Sequence, residues 1–307
     1  QRSPIPAVYE DHNRRPWGWR VEHIQRLFGR SRITHAFQCT CPACRQSFEV
    51  PGGTRIDGGG GTGVLRPSGE NRADSMGPPS RFANQSQDVA RTLASFCSII
   101  AARVYDHGVL EGLASVAPVP VINLLSDRAH PCQGLADLLT IRELCGSIEG
   151  RRLAYVGDGN NVAASLAFGA AMTGLELVVS SPPGYELDAD VVDAARNLGG
   201  SITLIADPHD AVQGADALYT DVWTSMGDEA EAEERRVAFE HWRIDDALME
   251  AAGPDAWFLH CLPAHRGEEV TASVIDGPRS AVWQQAANRM HSARALFALV
   301  LPGAETD

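Results

Sequence analysis

The sequence predicts an α/β protein built as two doubly wound parallel-sheet domains joined by bridging helices. Two observations carry this. From Ser98 onward, short apolar runs alternate with helical runs, the order that builds parallel sheets covered by helices. The length of 307 residues, 44 % of them hydrophobic, suits one large or two medium domains.

Taken in order, Ile99–Val104 and Val121–Leu125 read as buried strands. Gln133–Leu144 is a helix expected to bridge two sheets, and Leu153–Val156 is the next strand. Asn161–Met172 is a helix with small residues on one face. Leu175–Ser180, Asp188–Leu198 and Ser201–Ala206 continue as strand, helix and strand. Ala215–Tyr219 and Ala256–Leu259 are two further apolar runs of strand type. A final helix, Ala281–Val300, is long enough to return to the first domain. The first domain is therefore expected to span residues 1–132, completed by 288–307, and the second residues 133–287. Before Ser98 the pattern weakens. Glu22–Phe28 is helical, and Pro51–Pro79, with Gly58–Gly61 and Pro78-Pro79, reads as a long, partly disordered loop.

The formal net charge of −13 repels phosphate backbones and argues against nucleic-acid binding. Local arginines can still make a positive pocket for a small anion. No apolar run has the length of a membrane span, and the first residues lack the apolar core of a signal peptide. Seven Cys, an odd number, fit a reducing cytoplasm better than a disulfide framework.

Two runs follow strand ends near the C-terminus: Asp221-Val222-Trp223-Thr224-Ser225-Met226-Gly227 and His260-Cys261-Leu262-Pro263. Ligands bind α/β sheets in the crevice outside such ends. There a carboxylate can hold an ammonium group, and a thiol can orient an amine. Each also has an ordinary structural reading, a turn or helix cap for Asp221 and a core position for Cys261. A third run, His130-Pro131-Cys132-Gln133, opens a helix. A His at a helix start, with a Gln one turn in, can donate to a carbonyl oxygen that gains negative charge. A fourth run, Gly157-Asp158-Gly159-Asn160-Asn161-Val162, joins a strand to a helix. It lacks the third glycine of a dinucleotide fingerprint, and the next strand ends in Ser180-Ser181 rather than an acid. Arg103 closes an apolar run and would be costly to bury without an anionic partner. Glu268-Glu269 reads as the start of a helix, and Asp228–Arg236 as a solvated loop or helix face.

In this order and spacing, the four runs resemble the aspartate/ornithine transcarbamoylase family, and within it the ornithine carbamoyltransferases. The resemblance covers roughly Asp88 to Val300. It implies transfer of a carbamoyl group from carbamoyl phosphate to the δ-amino group of L-ornithine, giving L-citrulline and phosphate. It implies that Arg103, His130 and Arg289 stabilise the oxyanion and contact phosphate, with Gln133 beside them. It implies that Asn161 and Asp221 hold the α-carboxylate and α-ammonium groups, and that Ser225 and Met226 shape that pocket. Cys261 and the Leu262 carbonyl would lie near the δ-nitrogen. No metal or organic cofactor is implied. A cytoplasmic homotrimer is.

The family's phosphate loop, Ser-Thr-Arg-Thr-Arg at a helix start, is replaced here. The matching stretch is Phe37-Gln38-Cys39-Thr40-Cys41-Pro42-Ala43-Cys44-Arg45-Gln46-Ser47-Phe48-Glu49. Arg45 survives as an anchor and a substrate-binding candidate, whereas Cys41, Pro42, Ala43 and Cys44 supply neither hydroxyls nor a guanidinium. Pro42 also lacks a backbone N–H. Three readings stand open: an active enzyme with a weakened phosphate site, a paralogue that binds amino acid without efficient turnover, and a locally altered reading frame. Putrescine is the alternative amine. Cys39, Cys41 and Cys44, with His35 nearby, form one Cys-x-x-Cys pair without the second that a zinc site usually has.

Overall fold

A computed structural model of the chain describes residues 62–65, 80–224 and 229–301. The expected helix at Glu22–Phe28, most of the Pro51–Pro79 stretch, and Arg45, Ser225 and Met226 lie outside the described residues. The described residues fall into two compact units, one of Cys132–Ala295, the other of those up to Pro131 together with those from Leu296 on.

The smaller unit holds a parallel sheet in the order β1-β2-β3: Thr62–Leu65, Ile99–Arg103 and Val121–Leu125. Strand β1 corrects the expectation that Pro51–Pro79 is all a long, partly disordered loop. Four residues give too few alternations to read as a strand, and pairing with β2 makes it one. Helices α1 (Ser80–Ala94) and α2 (His107–Ala114) belong to this unit. Ala90, Ile100, Ala102, Leu110, Leu113 and Ala117 form its buried core. Arg103 is exposed at the end of β2 rather than buried. Strand β2 ends there, and its register with β3 shifts between Ala102 and Arg103.

The larger unit carries a parallel five-stranded sheet in the order β6-β5-β4-β7-β8. These strands are β4 (Arg152–Val156), β5 (Glu176–Ser180), β6 (Ser201–Leu204), β7 (Ala217–Thr220) and β8 (Trp257–His260). From β4 the chain steps outward to β5 and β6, then returns to the other side of β4 to lay down β7 and β8. The reversal leaves a crevice beyond the C-terminal ends of β4 and β7. The connecting helices are α3 (Pro131–Cys145), α4 (Asn161–Thr173), α5 (Ala189–Asn197), α6 (Pro208–Ala211), α7 (Ala232–Phe239), α8 (Asp246–Ala252), α9 (Ala272–Ile275) and α10 (Val282–Val300). Helices α3 and α4 pack tightly: a Cβ on Gly169 would meet Leu138 Cδ1 at 2.8 Å. Ala154, Val156, Leu218, Phe258, Ile244, Leu248, Val270 and Val282 fill one face of the sheet. Glu268-Glu269 does not start a helix; α9 begins at Ala272 with Thr271 as its N-cap residue.

Candidate active site

The crevice residues are set by strand register. Thr220 pairs with His260, so the next residues, Asp221 and Cys261, leave adjacent strands side by side. The Cys261 thiol donates to Asp221 Oδ1 at 2.8 Å, and the Val222 N–H donates to the same oxygen at 2.8 Å. Asp221 Oδ2 accepts from Asn160 Nδ2 at 2.9 Å. Asp221 is only 7 % exposed, and both of its carboxylate oxygens already accept hydrogen bonds from the protein, with acceptor capacity to spare. Burial, then the negative charge of Asp221, pushes the Cys261 thiol well above its ordinary range. Cys261 is therefore a neutral thiol at physiological pH. It donates one bond and leaves sulfur lone pairs for an amine N–H, and it is no thiolate nucleophile.

Asn160 caps α4: its Oδ1 accepts from Val162 N at 2.9 Å and Ala163 N at 3.2 Å, and from the Tyr155 hydroxyl at 3.2 Å. With its oxygen committed to the helix, its NH₂ must face Asp221. Asn161, singled out from the sequence, is the first residue of α4. The turn before it needs glycine twice. Gly157 has φ 144°, and a Cβ on Gly159 would lie 2.2 Å from the backbone nitrogen of Leu187.

After β8, the His260 ring fixes the next residues. The Leu262 N–H donates to His260 Nδ1 at 2.8 Å, so the proton sits on Nε2, 3.2 Å from Glu269 Oε1. Glu269 Oε1 also accepts the His265 N–H at 2.6 Å. Glu269 is thus a fully buried staple between His260 and His265, and Leu262, whose N–H His260 takes, sits at φ 58°, a conformation uncommon for a residue other than glycine.

Behind these residues lies a polar network at the start of α3. Gln133 Oε1 accepts from the Arg289 guanidinium, and Gln133 Nε2 donates to Asp137 Oδ1 at 2.7 Å. Gln133 therefore spends part of its donor capacity inside the protein and orients Arg289. Cys132, beside it, is pushed up to about 12 by burial, partly offset by the Arg289 charge. In the smaller unit, His130 is buried and follows a loop that Ser126 holds: Ser126 Oγ contacts His107 Nδ1 at 2.8 Å and accepts from Ala129 N at 3.3 Å.

The Glu- and Arg-rich run Asp228–Arg236 is not wholly solvated. Arg235 is 5 % exposed, donates to the Trp223 carbonyl and to Asp158, and lies 4.7 Å over the Tyr185 ring. It ties α7 to the Gly157–Asn161 turn. The apolar partners Trp223, Tyr185 and Phe239 make room for it, and nothing in the local charge pattern signals that.

Models of two domains match the chain. "Aspartate/ornithine carbamoyltransferase, Asp/Orn binding domain" covers residues 149–300, and "Aspartate/ornithine carbamoyltransferase, carbamoyl-P binding domain" covers residues 69–143. The chain belongs to the aspartate/ornithine carbamoyltransferase family. Within the family, the ornithine carbamoyltransferase of Acidothermus cellulolyticus is 46 % identical over 282 residues, 91 % of this chain and 87 % of that protein. The anabolic ornithine carbamoyltransferase of Pyrococcus furiosus is 54 % identical over 220 residues, 70 % of each. A solved structure of ornithine carbamoyltransferase from Pyrococcus furiosus matches with a TM-score of 0.68 and 53 % identity over 71 % of each chain. Of the residues the sequence singles out, the larger unit holds Gln133, Asn161, Asp221, Cys261, Leu262 and Arg289. The smaller one holds Arg103 and His130. Sequence reasoning named Asn160 in the fourth run without its capping role, read Arg235 as solvated and Glu269 as a helix start, and missed Asp137. Only Asp137 carries a visible signal, an acid inside the apolar run Leu135–Ile141.

Proposed function

We propose that this chain is an ornithine carbamoyltransferase, moving the carbamoyl group of carbamoyl phosphate to the δ-amino group of L-ornithine. The δ-nitrogen lone pair attacks the carbamoyl carbon, and the bond from that carbon to the bridging oxygen breaks, leaving the oxygen on phosphorus. Phosphate leaves, one amine proton is released, and L-citrulline remains. The observation that carries this reading is the Asp221–Cys261–Asn160 cluster beyond β4, β7 and β8, in a chain whose relatives bear that name.

Asp221 is assigned to the α-ammonium group, with Asn161 as a further contact and Ser225 and Met226 closing the pocket. Cys261, a neutral acceptor and donor, and the Leu262 carbonyl are assigned to the δ-nitrogen. Arg103, His130 and Arg289 are assigned to the phosphate and the developing oxyanion, where fixed positive donors do most. Gln133 positions Arg289, and Arg45 is a further phosphate candidate. Residues 1–132 with 288–307 make the carbamoyl phosphate-binding domain, and 133–287 the ornithine-binding domain. No metal or cofactor enters the reaction as proposed. A cytoplasmic homotrimer serving an anabolic, arginine-forming step completes the reading. It rests on the family resemblance and on the anabolic relative.

The test is citrulline formation from ornithine and carbamoyl phosphate, beside calorimetry with each substrate. Citrulline is the expected product, with putrescine a poor substitute because it keeps the second ammonium but lacks the α-carboxylate assigned to Asn161. Ornithine binding without citrulline would identify a catalytically impaired relative instead. Faster carbamoylation of putrescine would overturn the ornithine assignment.

Cys261→Ser is expected to keep the fold, because a hydroxyl can still donate to Asp221. It should lower kcat/KM for ornithine on the order of tenfold, about 1.4 kcal/mol. Thermal unfolding and steady-state kinetics check this. A destabilised variant whose folded fraction is fully active would show that Cys261 only packs.

A further inference from the structure

A fully buried carboxylate stands at the centre of the α3 network without a role in the scheme above. Asp137 Oδ1 accepts from Gln133 Nε2 at 2.7 Å and from Gln285 Nε2 at 2.6 Å, and Oδ2 accepts from the Tyr219 hydroxyl at 3.2 Å. An ionised carboxylate only accepts, so both amides must turn their NH₂ groups toward it and their oxygens away. Those oxygens then do specific work. Gln133 Oε1 takes the Arg289 guanidinium, and Gln285 Oε1 takes the His260 N–H at 2.8 Å, one residue before Cys261. One buried acid therefore sets the direction of two amides. One amide orients the arginine assigned to phosphate, and the other pins the strand end that carries the thiol.

We propose that Asp137, in its ionised form, is a positioning residue for carbamoyl transfer: it locks Gln133 and Gln285 so that Arg289 and the end of β8 are held in working geometry. This rests on the carbamoyltransferase reading for the reaction it serves, though not for the network itself.

Protonation would weaken this lock, because hydrogen bonds to a charged acceptor are about twice as strong as neutral ones. Burial raises the Asp137 carboxyl to about 7, and hydrogen bonds from Gln285, Gln133 and Tyr219 and the charge of Arg289 oppose the rise. The ionisable groups facing it are Arg289 on α10, Tyr219 on β7, Tyr155 stacked on Tyr219 with centroids 5.6 Å apart, and Cys261 after β8. Burial pushes both tyrosines and the thiol upward, so these three stay neutral where Asp137 titrates.

The folded pKa of Asp137 is raised above the unfolded one near 4. The folded state thus favours the proton, and this group's contribution to stability declines as pH rises from about 4 to 7. Above that, the protein carries an ionised acid that burdens its stability.

Asp137→Asn separates positioning from structure. Its oxygen can still accept from both amides and its NH₂ can donate to the Tyr219 oxygen, so the bonding pattern survives while the charge is lost. The experiment measures citrulline formation against pH for wild type and Asp137→Asn, together with their Tm values at pH 8. Calorimetry with carbamoyl phosphate over the same pH range provides a second readout. Ionisation of the substrate is common to both proteins and cancels in the ratio. The expected result is a wild-type kcat/KM that rises through about pH 7. The variant should lack that limb and be about tenfold slower at pH 8, with a Tm no lower than wild type. Wild-type kinetics in the variant would overturn the proposal, and so would loss of Tm in proportion to loss of activity. If the wild-type chain makes no citrulline, the functional reading fails by itself. Asp137 is then decided by calorimetry alone. Weaker carbamoyl phosphate binding by the variant at pH 8, with the gap closing toward pH 5.5, supports its role, and equal binding at both pH values overturns it.

Discussion

Asp221→Asn should weaken ornithine binding by about 1.5–3 kcal/mol, the worth of one charge-assisted contact, and leave carbamoyl phosphate binding within about twofold. The substitution is isosteric, but the surroundings do not accept it neutrally. Oδ1 faces the Cys261 thiol and the Val222 N–H, and Oδ2 faces Asn160 Nδ2. Wherever the new NH₂ lands, it meets a donor. Asn160 cannot turn to receive it, because its oxygen already caps α4. The variant therefore loses the negative charge and also disturbs its own first neighbours, all on the amino-acid side. Calorimetry with each substrate separately decides the matter. Equal losses for ornithine and carbamoyl phosphate would remove Asp221 from the amino-acid site.

The strand ends that carry Asp221 and Cys261 are legible in the sequence because short apolar runs precede both. Their 2.8 Å contact is not, because it depends on which strands are neighbours. Insertion of β7 between β4 and β8 is a property of topology, and local pattern does not encode it. Asn160 and Asn161 are adjacent and identical. Only the start of α4 decides that Asn160 caps the helix and reaches Asp221. Arg235 reads as solvated and Glu269 as the start of a helix, because charged neighbours surround both in sequence. The burial of Arg235 comes from Phe239 one turn along its own helix together with Trp223 and the more distant Tyr185, and that of Glu269 from His260 at the end of β8. Asp137 differs. Most of α3 from Cys132 to Ile141 is buried on every side, so a helical period cannot mark an inward face, but an acid within such a run already demands partners.

The largest effect is expected where the chain departs from its family's pattern. By the resemblance, Cys41, Pro42, Ala43 and Cys44 stand where the family's pattern supplies hydroxyls and a guanidinium to phosphate. They lie outside the described residues and upstream of residues 69–143, which the carbamoyl-P domain model matches. Each lost hydrogen bond to a charged oxygen is worth on the order of 1.5–3 kcal/mol. Loss of two or three of them corresponds to several powers of ten in affinity. Arg103, His130 and Arg289, the proposed oxyanion donors, remain in the sequence, so the expected defect lies in phosphate binding. The chain as written should therefore saturate with ornithine far more readily than with carbamoyl phosphate. The fourfold replacement Cys41→Ser, Pro42→Thr, Ala43→Arg and Cys44→Thr should lower the carbamoyl phosphate dissociation constant by at least a hundredfold, with ornithine affinity little changed. Replacing Pro42 matters doubly, since it also returns a backbone N–H at that position. Calorimetry before and after the replacement gives the answer. An unaltered chain that already binds carbamoyl phosphate as tightly as its Pyrococcus furiosus relative would mean that the alignment at Phe37 is wrong and another segment cradles the phosphate.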